Sequence, residues 1–182
     1  MNKNEIKSVV AIAIGAAIIF IMKRFIIIPS FIPNTNFDIS YAFLSLLAAI
    51  YGGVPAAIAG FIGHALMDAL TYGSIWYSWV ITTAIVGFGF GFVTKNMNIA
   101  KGVFDKQDKI KFFIGQFIVN AIGWIVVAPV LDILIFNEPV NKVFLQGAFS
   151  AIVNGLGTGV IGTILIAAFA ATRTKSGSLY QK

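Results

Sequence analysis

Apolar runs of a dozen to thirty residues follow one another along almost the whole 182-residue chain, separated by short stretches rich in Gly, Pro, Asn and Lys. About 20 mostly apolar residues are what an α-helix needs to cross the roughly 30 Å hydrocarbon core of a bilayer. Charged residues make up 11% of the chain, under half of the roughly 25% usual in soluble domains. A water-soluble protein of this size could not cover so much apolar surface, whereas a bilayer tolerates it. The expected fold is an all-α integral membrane protein with six transmembrane helices, in one domain over residues 1–182.

The expected spans are residues 8–28, 39–51, 56–72, 75–94, 112–135 and 143–172. Lysines precede the first apolar run as in a signal peptide, but no small-residue cleavage site follows, so it reads as a retained helix. Lys23 and Arg24 sit near its outer end, where long basic side chains snorkel to the headgroups. Residues 29–38 form a turn-rich loop with Pro29, Pro33, Asn34 and Asn36. Gly52, Gly53, Val54 and Pro55 break the second span from the third, and Gly73 and Ser74 make a tight turn. The second span is short. It is a short helix or half of a re-entrant pair with the third, and either choice leaves the crossing count even.

Basic residues set the sidedness, because loops on the cytoplasmic side carry the excess of Lys and Arg. With the N-terminus inside, the inner set is Lys3, Lys7, Lys95, Lys101, Lys106, Lys109, Lys111, Arg173, Lys175 and Lys182, and the outer set is Lys23, Arg24 and Lys142. Ten against three puts both termini in the cytoplasm. The net charge of +6 therefore belongs to topology and not to nucleic-acid binding. Small residues four apart let helices approach closely in lipid. Ala13 and Ala17, Gly87 and Gly91, and Gly155 and Gly159 are such pairs. They serve either packing within the chain or docking of another membrane subunit.

Little in the chain supports catalysis. There is no cysteine and the only histidine is His64, so no multi-histidine or cysteine metal site can form. Neither a phosphate-binding G-x-x-x-x-G-K-[ST] loop nor a G-x-S-x-G nucleophile elbow occurs. The chain has no means of hydrolysing ATP, and no cofactor is expected. The informative polar groups gather toward the outer half. His64 and Asp68, four apart, share one face of the third span, and ionisable groups inside a membrane mark function or a structural pair. Asn120 and Trp124 share a face of the fifth span, as interhelical glue or as part of a site. Asp132 lies near the outer end of that span, where it is expected to be solvated. Tyr72, Trp76, Tyr77 and Trp79 crowd the turn between the third and fourth spans, on the same side as Asn34, Asn36, Asp38 and Tyr41. An interfacial aromatic belt has this composition. So does a pocket for a planar or bulky organic ligand, with aromatic walls and a few hydrogen-bonding groups.

Six helices, an inside N-terminus, the Ala13-x-x-x-Ala17 face and no ATPase together resemble the substrate-binding S components of energy-coupling-factor vitamin transporters. The strings Ile32-Pro33-Asn34-Thr35-Asn36, Gly60-Phe61-Ile62-Gly63-His64-Ala65-Leu66 and Tyr72-Gly73-Ser74-Ile75-Trp76-Tyr77-Ser78-Trp79 are similar to a bacterial group of these subunits labelled riboflavin-type. The resemblance covers nearly the whole chain. It implies a multi-pass protein of the bacterial cell membrane that captures a vitamin under its first outer loop. It also implies delivery inward with a membrane coupling subunit, docked on Ala13 and Ala17, and two cytosolic ATPases. The cargo implied is cobalamin or a related corrinoid, with riboflavin or another small vitamin as the alternative.

Three other readings compete. An ion-coupled carrier would use Asp68 or Asp132, a membrane-embedded hydrolase would pair His64 with Ser45 or Ser150, and a scaffold would bind no small molecule.

Overall fold

A computed structural model describes residues 3–173. Lys175 and Lys182, counted above on the inner side, lie outside the described residues. The chain forms α1 (Lys3–Phe25), a hairpin of β1 (Ile27–Pro29) and β2 (Asn36–Asp38), α2 (Ser40–Tyr51), α3 (Gly53–Tyr72) and α4 (Tyr77–Thr94). A single-turn 3-10 helix (Ile99–Lys101) precedes the last two helices. These are α5 (Lys106–Phe136) and α6 (Val140–Ala171), each running on through one π-helical turn. Among the described residues, five helices are long and apolar enough to cross a membrane, and α2 is not one of them.

The expected spans were displaced at their ends for physical reasons. α1 stops at Phe25 instead of residue 28, because the next residues pair as a strand, with Ile28 opposite Phe37 and Pro29 opposite Asn36. α5 starts at Lys106, six residues inside the polar stretch. Asp105 caps it by accepting a hydrogen bond from the Asp108 N–H at 2.9 Å, and lysines are good helix formers. The breaks fall where glycine was expected to place them. Gly52 has φ +91° and separates α2 from α3, and Gly73, at φ +75°, ends α3. Pro55 sits in the first turn of α3, where its missing N–H costs no hydrogen bond.

At 1.5 Å per residue, α2 is about 18 Å long, well short of a bilayer core. The loop after α4 fills the space beneath it. Ile99 and Phe104 from that loop are buried with Phe112, Ile166 and Ala170, against Leu46 and Ala49 of α2. This apolar cluster closes the end of the bundle that carries the lysine-rich loop. A second cluster binds α1 to α3 through Ala16, Ile19, Ala56 and Ala59, and reaches Trp124 and Ala128 of α5.

The glycine pairs lie inside the bundle. A Cβ on Gly87 would meet the Ala56 backbone at 3.1 Å, and one on Gly91 would collide with the Gly53 backbone. Gly155 and Gly159 face the rings of Phe117 and Phe113. Ala13 and Ala17 differ: both are exposed on the outer face of α1. Backbone cannot yield as a side chain does, so Gly91→Ala must push α4 off α3. We expect it to lower stability by about 1–3 kcal/mol, read as a lower unfolding midpoint in detergent.

Candidate functional site

The end of the bundle where α1 stops and α4 starts holds a cavity of about 330 Å³. The bottom of this cavity is Trp124, 1% exposed, whose ring meets Tyr41 edge-on at 5.4 Å and Trp79 at 5.2 Å. All three tryptophans of the chain line it. The hairpin loop stands at its mouth, tied to α6 where Gln146 Nε2 donates to the Pro33 carbonyl at 2.8 Å. Phe31 and Phe37 of the same hairpin both pack edge-on against Phe149 at 5.4 Å.

Lys23 does not snorkel to the surface. It is 4% exposed and ion-paired with Asp38 of β2. On a helix of 100° per residue it falls on the face of Ala16 and Ile19, whereas Arg24 falls with Ala13 and Ala17. Its Nζ also donates to the Tyr41 hydroxyl at 3.2 Å. That hydroxyl hydrogen-bonds Thr83 Oγ1 at 2.8 Å, and Thr83 Oγ1 hydrogen-bonds His64 Nδ1 at 2.7 Å. His64 Nε2 stands 3.6 Å from Asp68 Oδ1, a loose contact, while Asp68 Oδ2 accepts the Trp76 backbone N–H at 3.0 Å. His64 is thus held by Thr83. Ser45, one of the serines weighed as its nucleophilic partner, donates instead to the Ala42 carbonyl at 2.7 Å.

Asp132 is not solvated either. It is 2% exposed and accepts hydrogen bonds from Trp76 Nε1 at 2.7 Å, Trp79 Nε1 at 2.8 Å and the Ser78 hydroxyl. One carboxylate therefore orients two of the three indole rings and ties the start of α4 to α5. The π turn makes this reachable. The buried residues of α5 include Phe112, Gln116, Asn120, Trp124, Ala128 and Asp132, a strict spacing of four. In a straight α-helix each step of four gains about 40°, so five steps would carry Asp132 to the far side. The wider turn at Ile122–Val127 takes back part of that drift, and π turns recur at functional sites.

Nine of the expected ligand-binding residues line the cavity: Asn34, Asn36, Asp38, Tyr41, His64, Asp68, Tyr72, Trp76 and Trp124. Tyr77 and Asn120 do not. Tyr77 is 49% exposed at the start of α4. Asn120 is buried below Trp124, where its Nδ2 donates to Gln116 Oε1 at 3.1 Å, and Gln116 Nε2 donates to the Gly155 carbonyl at 3.0 Å. Gln116 makes the bond between α5 and α6, and Asn120 supports it from within α5. Sequence reasoning missed Lys23, Asp132 and Gln146 as wall residues, and the rim pair Glu138–Lys142, whose charged atoms are 2.6 Å apart. For Lys23 the helical angle shared with Ala16 and Ile19 was the available signal. For Asp132 it was the period of four.

The model of the family described as "ECF-type riboflavin transporter, S component" matches residues 3–171. The chain belongs to that family. It is a multi-pass membrane protein of a transporter family, and the likeness first carried by three short strings extends over the whole bundle. UPF0397 proteins of Staphylococcus aureus strains JH9 and N315 are each 49% identical to it over 181 residues, covering 98% of both chains. The UPF0397 protein of the bovine strain RF122 is 49% identical over 184 residues, covering both chains in full. No solved structure matches the chain.

In this S component the Asp132 carboxylate is the part of the cavity wall whose loss is most readily measured. Asp132→Ala strands three donors, each costing about 1–3 kcal/mol when buried. We expect a stability loss of at least roughly 3 kcal/mol and a red shift of the tryptophan emission. Asp132→Asn keeps one acceptor oxygen and should fall between the two.

Proposed function

We propose that the chain is the capture subunit of an energy-coupling-factor importer, taking a small ring-bearing vitamin from outside the cell into the cavity beneath the hairpin. The observation that carries this reading is the gathering of all three tryptophans around one polar-lined cavity at a single end of the bundle. In the proposed orientation both termini are cytoplasmic, α2 counts as a sixth, short crossing, and the cavity opens outward. The lysines of residues 95–111 then lie on the inner side, as the positive-inside rule requires.

The cavity volume stands at the low end of the roughly 300–1,000 Å³ that holds drug-sized ligands. A corrinoid with its nucleotide loop outgrows it and would stand in the mouth, so the smaller vitamin takes precedence over cobalamin. Riboflavin, named in the description of the matching family, is the first such vitamin to titrate. ATP hydrolysis falls to two cytosolic partner ATPases, and a membrane coupling subunit docks on α1. The exposed Ala13 and Ala17, with Ile14 and Val10 beside them, present a smooth apolar face suited to a subunit that engages and releases.

Two experiments test this. Titration of the purified chain by calorimetry should show saturable one-to-one binding of a small vitamin without ATP. A folded protein that binds none would remove the capture role. Ala13→Leu and Ala17→Leu should each abolish uptake in cells supplying the partner subunits while leaving the affinity of the isolated chain within about twofold, since a face outside the bundle contributes nothing to the cavity. Undiminished uptake with normal assembly would end the docking assignment.

A further inference from the structure

The charges around the cavity do not balance. Two cationic side chains line it, Lys23 and Lys142, against four carboxylates, Asp38, Asp68, Asp132 and Glu138. Lys23 is taken by Asp38 and Lys142 by Glu138. Asp68 and Asp132 remain, 3% and 2% exposed, with no Lys or Arg side chain in contact among the described residues. With His64 neutral, the walls carry a formal excess of two negative charges. Ionised groups withdrawn from water are strongly unfavourable until an opposite charge joins them, and an apolar surround makes that partner's attraction stronger than it would be in water.

The same walls are aromatic. Trp76, partly exposed with one face stacked on Phe136, and Trp79 line it with indole surface, and indole faces attract organic cations, as in the aromatic cages that bind quaternary ammonium groups. Among the described residues no three His, Cys, Asp or Glu side chains come together to hold a metal ion, so the excess charge suits an organic cation.

We propose that the cargo is a small organic cation, a planar heteroaromatic ring that carries positive charge. Asp68 and the indole faces balance its charge. This rests on the vitamin-capture reading and narrows it to one charge class, since riboflavin is neutral.

The test uses the full chain in detergent and three probes. Thiamine carries a permanently charged thiazolium ring. Its 3-deaza analogue has the same shape with a carbon in place of the charged nitrogen, and riboflavin is a neutral ring of similar reach. We expect thiamine to bind at least tenfold more tightly than either, and Asp68→Asn to weaken thiamine at least tenfold without lowering the unfolding midpoint. Equal affinity for thiamine and its deaza analogue would overturn the proposal. Riboflavin binding more tightly than thiamine would overturn it too, while leaving the capture role standing. A folded protein that binds neither thiamine, riboflavin nor cobalamin would overturn both.

Discussion

Lys23, Asp68 and Asp132 lie in helices surrounded by lipid and by apolar side chains, where an unpaired charge is among the most expensive things a protein can hold. Their partners come from other elements. The run Asp38–Lys23–Tyr41–Thr83–His64 joins the hairpin, α1, α2, α4 and α3. Trp76 extends it, because its backbone N–H reaches Asp68 and its indole N–H reaches Asp132 of α5. Gln146 brings in α6 by holding the hairpin loop. Removing one member of a buried ion pair typically costs about 3–5 kcal/mol, so Lys23 and Asp38 hold the hairpin over the cavity far more firmly than the three-residue strands could.

The two ends of the bundle meet opposite demands. At the lysine-rich end, Ile99, Phe104 and Phe112 fill the space that the short α2 leaves open. At the other end, α2 supplies Tyr41 to the cavity wall, and its shortness lets the hairpin fold down beside it. A full-length second helix would have displaced the plug at one end or the cavity mouth at the other. The π turns of α5 and α6 act along the same axis. They keep a stripe of small and polar residues facing inward through helices of 31 and 32 residues, so that Gln116, Trp124 and Asp132 all point toward the bundle interior.

Much of this is legible in the sequence. The apolar runs marked the five long helices, Gly52 and Gly73 marked their breaks, and nine cavity residues followed from polar and aromatic groups clustered toward one side. Other features were misread because they depend on angle and depth. Lys23 looked like a snorkelling residue because it lies near a helix end; its helical face, shared with Ile19, turns it inward. Asp132 looked solvated because it lies near the outer end of its span; the three donors of α4 that bury it come from a helix far away in sequence. Tyr77 and Asn120 sat close in sequence to wall residues, yet one turns outward and the other lies a layer below.

By itself the sequence determined that this chain is a bundle of membrane helices belonging to a transporter family, because hydropathy and local strings are properties of contiguous residues. Only the tertiary structure decided which charges meet. Pairing Lys23 with Asp38 leaves Asp68 and Asp132 without a cation. That outcome depends on distances between residues far apart in the chain, and no local pattern encodes them.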